Sequence, residues 1–152
     1  MRIAHVATLV AFLGLPFSVR ADVWLDFVNP GGLFKPSTFT QMVIAKGGRV
    51  VFISGQTARD TDGVVVGVGD PRRQTEKALE NIRIAVETAG GSWVNVAKIT
   101  TYVVDLKPDD RVWIGELVKK HFPRPPAHTL IGISALAAPE LLVEIEAIAV
   151  LD

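Results

Sequence analysis

The fold is decided by two late stretches, Ala127-His128-Thr129-Leu130-Ile131-Gly132-Ile133 and Leu141-Leu142-Val143-Glu144-Ile145-Glu146-Ala147-Ile148-Ala149-Val150. Both are rich in β-branched and aliphatic residues, and the second interrupts its apolar run with two carboxylates spaced by two. Strand side chains alternate between faces, so Glu144 and Glu146 share one face and Val143, Ile145 and Ala147 share the other. Carboxylates on a sheet face require water, a partner or a ligand. This makes Glu144 the first candidate for chemistry.

Upstream, the chain alternates strand and helix signals. Residues 42–46 and 49–55 flank Gly47-Gly48, a two-residue hairpin signal because both positions accept positive φ. Asp60-Thr61-Asp62-Gly63 reads as a turn before a Val64-Val65-Val66 strand; it begins like a calcium loop, but the later ligands are missing. Asp70-Pro71 opens a helix, since Asp accepts from free amides and Pro is tolerated at the first helical position. Ala78, Leu79, Ile82, Ala85, Val86 and Ala89 form its apolar stripe, and Gly90-Gly91 ends it. A strand is expected over 94–104. A second helix starts at Asp109 or Asp110, turns Trp113, Leu117 and Val118 inward and stops at Phe122-Pro123. The reading is an α+β domain, with a mixed sheet and two helices on one of its faces.

Two helices cover only one sheet face, yet residues 50–53 are apolar on both: Val51 and Ile53 on one, Val50 and Phe52 on the other. A solvated second face would need polar alternation. The surplus predicts self-association through the uncovered face, with clefts between copies.

The beginning of the chain has a different character. Met1-Arg2, an apolar run from about Val6 to Phe17 and small residues before Ala21 describe a secretory signal peptide over 1–21, too short to span a bilayer comfortably. A periplasmic or secreted domain over 22–152 is expected; a mis-assigned start would instead leave the protein cytoplasmic. Residues 1–21 hold two of the 16 basic and none of the 16 acidic side chains, so 22–152 carry a net charge of −2 with His neutral. That balance argues against binding nucleic acid or an anionic membrane by charge. With no cysteine in the chain, disulfides, thiolate metal sites and a cysteine nucleophile are excluded. Only His121 and His128 follow the leader, which disfavours a histidine metal centre. Neither a repeat nor a low-complexity linker marks a second domain.

Five segments, in their order and spacing, carry a family resemblance. They are Phe27-Val28-Asn29-Pro30-Gly31-Gly32-Leu33-Phe34-Lys35-Pro36, Phe52-Ile53-Ser54-Gly55-Gln56, the helix over 74–90 with Asn81, Tyr102-Val103-Val104-Asp105-Leu106, and 143–150. Together they resemble the RidA (YjgF) reactive-intermediate deaminase family from about Phe27 to Val150. The resemblance implies a chorismate-mutase-like fold, a homotrimer with three interface clefts, and no metal or organic cofactor. It also implies hydrolysis of 2-imino or enamine acids to keto acids and ammonia. By position, the glutamate that directs water falls on Glu144 and the backbone carbonyl beside it on Leu130, while Ser54 and Gly55 line the cleft. Glu146 is expected to be structural, pairing with a cation across the interface.

The chain departs from that pattern at three positions. His128 stands where the family places a carboxylate-binding arginine, Phe39 where a tyrosine is common, and Lys107 where an asparagine is frequent. Arginine is a permanently charged planar fork, whereas an unperturbed histidine, with a pKa of ~6.5, is mostly neutral at pH 7. Thr129, Ile131 and Ile133 are assigned to the helices, which puts His128 on the cleft face as an anion contact, an acid–base group or inert cleft lining; Lys107 reads first as a solvated surface lysine, with supply of the missing positive charge as the alternative. Three functions follow: a hydrolase of an imine, enamine or related C–N metabolite, a non-catalytic trimeric module for a small metabolite or a partner, and a ribonuclease or translation inhibitor, which the acidic charge opposes.

Overall fold

The computed structural model describes residues 24–152; the leader expected at 1–21 lies outside the described residues. The elements are β1 (Trp24–Val28), β2 (Met42–Lys46), β3 (Arg49–Thr57), α1 (Pro71–Thr88), a 3-10 turn (Trp93–Asn95), β4 (Val96–Val104), α2 (Asp110–His121), β5 (Ala127–Ile133) and β6 (Val143–Leu151). Four strands form one mixed sheet in the order β3-β6-β4-β5. The β4–β5 pair is parallel and the other two pairs are antiparallel. Because α2 is the crossover between β4 and β5, that parallel pair is a βαβ unit.

Local chemistry sets the helix ends. Asp70 caps α1 by accepting from the Arg73 N–H at 3.0 Å, with Pro71 at the first helical position. Lys119, Lys120 and His121 end α2, where positive charge complements the helix dipole. Both helices pack on one sheet face. Ile53, Ile99, Val103, Val143, Ile145 and Ala147 project from the strands against Leu79, Ile82 and Val86 of α1 and Ile114, Leu117 and Val118 of α2. Each of these is nearly inaccessible, so truncating one of the larger side chains to Ala costs ~2–5 kcal/mol.

The structure corrects two expectations about the strands. Gly47 and Gly48 do take positive φ, 74° and 81°, but β2 and β3 belong to different sheets. β2 instead pairs antiparallel with β1, Phe27 opposite Val43. The reason lies in burial: Leu25 of β1 packs with Ala97 and Val150 of the main sheet, flanked by Phe27 and Val43. The glycine pair therefore turns the chain out of the plane of the main sheet. Residues 64–66 form no strand, only a bridge between Arg59 and Val65, because Asp60 Oδ1 holds this segment by accepting from the Asp62 and Val64 N–H groups.

The face opposite the helices carries Val50, Phe52 and Ser54 from β3, Glu144, Glu146 and Ile148 from β6, and Lys98, Thr100 and Tyr102 from β4. Val50 is 51% exposed and Phe52 78%, so the second apolar face expected from residues 50–53 is present and uncovered in one protomer.

Candidate functional site

Glu144 sits on β6 between Thr57 of β3 and Tyr102 of β4. The β3–β6 register slips between Ile53 and Gln56, so Ser54 and Gly55 form a bulge beside it. Bulges bend the strand and re-aim its side chains. The Glu144 carboxylate occupies the space a Cβ at position 55 would need: such an atom would overlap Oε1 and lie 2.6 Å from the carboxyl carbon. Only glycine lets the acid lie this close to the strand.

The approach of β6 is held from α1. Gln74 is fully buried; its amide nitrogen donates to the Glu140 and Gly67 carbonyls at 2.7 and 3.2 Å, and its oxygen accepts from the Leu142 N–H at 2.7 Å. Two of these bonds thus anchor the chain two and four residues before Glu144, and the third ties Gln74 to the loop ahead of α1. Among the described residues the Glu144 carboxylate enters no hydrogen bond or ion pair, which leaves both oxygens for an incoming molecule. Glu146 differs, accepting from the Tyr102 hydroxyl at 3.4 Å. The Tyr102 hydroxyl is pushed above its ordinary pKa, first by partial desolvation and then by Glu146 and Glu144, so it stays a donor at neutral pH.

The structure overturns the placement of His128. Its Nε2 lies 3.0 Å from Thr101 Oγ1, and Thr101 is buried in line with Ile99 and Val103 on the helix-covered face. Leu130 packs against the same core. Conversely, Thr129 accepts from Lys98 Nζ at 2.7 Å on the free face. The expected parity of β5 is therefore inverted: His128 and Leu130 face the helices, and Thr129 and Ile131 the opposite side. Burial, then the charge of Lys98, lowers the His128 pKa to about 4. At neutral pH its ring is uncharged and gives an anion no charged grip.

Phe39 lies beside the β5 edge, because Thr40 is anchored there by donating its N–H to the Pro126 carbonyl at 3.0 Å and its hydroxyl to the Pro125 carbonyl at 2.7 Å. Lys107 is exposed in the turn after β4, where its backbone N–H donates to Asp110 at 2.7 Å. One protomer thus brings together Glu144, Ser54 and Gly55, but not His128, Leu130, Phe39 or Lys107. β5 is separated from β6 by β4.

Sequence reasoning missed Lys98, Thr100 and Tyr102. With Phe52, Ser54, Glu146 and Ile148, Lys98 and Thr100 line a concavity of about 440 Å³ on the free face. Their spacing by two within 94–104 was the available signal. Gln74 left none, since a helix-start glutamine reads as surface. Among the described residues no three His, Asp or Glu side chains converge as metal ligands, and no helix is long and apolar enough to cross a membrane.

Comparison with known proteins bears on this geometry. The family model described as endoribonuclease L-PSP matches residues 35–151. A RutC family protein of Pyrococcus abyssi is 34% identical over 105 residues, 68% of this chain and 80% of the relative. The crystal structure of the conserved Rid-family protein YyfB of Yersinia pestis superposes with a TM-score of 0.80 at 35% identity, covering 84% of this chain and 98% of that one. Escherichia coli TdcF, crystallised with bound serine, superposes with a TM-score of 0.59 at 28% identity, covering 80% and 92%.

Proposed function

The chain belongs to the RidA (YjgF) family, and from that membership we propose that it is a hydrolase of a reactive imine or enamine, with Glu144 directing the attacking water in a cleft completed by a neighbouring copy. The observation that carries this reading is the Glu144 carboxylate laid against Gly55 with no hydrogen-bond partner among the described residues. Water held by Glu144 attacks the imine carbon as its proton passes to the carboxylate. That proton then goes to the nitrogen to give a carbinolamine; the carboxylate next takes the remaining hydroxyl proton and passes it to the amine as the C–N bond breaks, so that a carbonyl compound and ammonia leave. A positioned base of this kind contributes ~10²–10⁴-fold. No cofactor takes part.

The free apolar face and the separation of β5 from Glu144 support assembly of three copies around shared clefts. With His128 neutral and turned inward, the substrate is one whose recognition does not depend on an arginine-like grip at that position. Export to the periplasm belongs to the same proposal: protein there beginning at Asp22 would support it, and intact protein in the cytoplasm would remove it.

The test uses imines generated by an amino-acid oxidase, with semicarbazide trapping what has not reacted. Faster carbonyl formation that disappears in Glu144→Gln is the expected result; no acceleration by folded, assembled protein sinks the reading. A second reading, a non-catalytic module for a small amino-acid-like metabolite, is favoured by one observation, the serine bound by TdcF. Stabilisation by serine without turnover would select it.

A further inference from the structure

The free sheet face contains two opposite charges that do not neutralise each other. Lys98 of β4 and Glu146 of β6 line the same concavity, yet among the described residues neither enters an ion pair within its own protomer. Each is held by a neutral group. Lys98 Nζ donates to Thr129 at 2.7 Å, which draws the cation towards β5, the edge strand of the sheet. Glu146 accepts from the Tyr102 hydroxyl, which keeps the anion over the middle of the sheet. Around them stand Phe52, Val50 and Ile131, 78%, 51% and 37% exposed, an apolar surround of the kind that becomes covered by a partner.

Covering this face with another copy would strip water from both charges, which is strongly unfavourable unless each finds a counter-charge. Every copy brings one cation at the sheet edge and one anion at the sheet centre. A head-to-tail ring uses each of these two charges once, edge against centre, and leaves Glu144 at the bulge free for the cleft. We propose that Lys98 of one copy pairs with Glu146 of the next, so that this charge pair sets the order of copies around a closed ring. The proposal rests on the assembly described above and assigns its partner: a second copy of this chain, recognised through an off-centre cation and a central anion. Thr129 and Tyr102 are positioning groups for the two charges.

The experiment measures the mass of residues 22–152 by light scattering at micromolar concentration, with circular dichroism to confirm folding. Lys98→Glu and Glu146→Lys should each weaken association at least tenfold, and the double reversal should return the wild-type mass. Single variants that assemble as well as wild type, or a folded double variant that stays dissociated, would overturn the pairing. If a reversal fails to fold, Lys98→Met and Glu146→Gln replace it, and their association should be weaker and less salt-dependent than wild type; unchanged association and salt dependence would overturn it equally. A monomeric wild type would instead remove the assembly itself, and the variants would then not differ in mass.

Discussion

Replacing Gly55 with alanine tests the placement of Glu144 directly. The added Cβ would overlap Glu144 Oε1 and sit 2.6 and 2.9 Å from the carboxyl carbon and Cγ, so the acid must move by about 1 Å or more. Gly55 is not among the positive-φ residues, and its backbone therefore accepts alanine without strain. Alanine at a compatible site stabilises by ~0.4–1 kcal/mol through the unfolded chain, while pushing Glu144 off its rotamer costs ~0.5–1.5 kcal/mol. The two nearly cancel, and the melting temperature should move by no more than about 4 °C. Catalysis is more sensitive, since a misplacement of about 1 Å costs ~10²-fold, or ~2.7 kcal/mol in the barrier. The expected signature is a kcat on imine hydrolysis down about a hundredfold with stability almost unchanged. Shortening the acid in Gly55→Ala/Glu144→Asp should recover part of it. A kcat within about twofold of wild type would show that this contact places nothing catalytic, and a fall of the melting temperature by more than about 10 °C would show that the clash falls on the fold instead.

Two further outcomes follow from buried polar groups. The folded-state pKa of His128, about 4, lies below its unfolded value of ~6.5, so unfolding takes up a proton between those pH values. The stability it contributes is complete above pH ~6.5 and declines towards pH ~4, by up to about 3 kcal/mol. Urea unfolding should show that slope in wild type and lose most of it in His128→Gln; an NMR titration of the ring near pH 6.5 would refute the inward, half-buried placement. Gln74→Met leaves the Leu142 N–H without its side-chain acceptor and should destabilise by ~1–3 kcal/mol. It should also lower kcat more than it raises KM, because the loosened segment leads into Glu144. A variant with wild-type stability would show that these bonds are replaced by water.

Local signals made the helices and the face of the acids legible. Asp70-Pro71 begins α1 through chemistry confined to its first turn, and Glu144 and Glu146 share a face because strand periodicity is two. β5 was ambiguous for a physical reason: Leu130 and Ile131 are both apolar, so neither parity is marked as the buried one. Thr101 resolves it by offering His128 a hydroxyl from β4, a contact between residues 27 apart in the chain. The glycine pair at 47–48 announced a turn, but a turn specifies only that the chain reverses. Which strand β2 joins was set by the burial of Leu25 on Ala97 and Val150.

By itself, then, the sequence determined the class of fold, the helix ends, the uncovered apolar face and the row of acids, because each follows from periodicity or from groups within a few residues. Only the tertiary structure decided that Glu144 rests on Gly55, that His128 turns inward to Thr101 as a neutral ring, and that Lys98 and Glu146 share a face without meeting. Those outcomes depend on strand order, register and a one-residue slip in β3. A slip of that size reverses which side chains meet, while leaving the local pattern of apolar and polar residues unchanged.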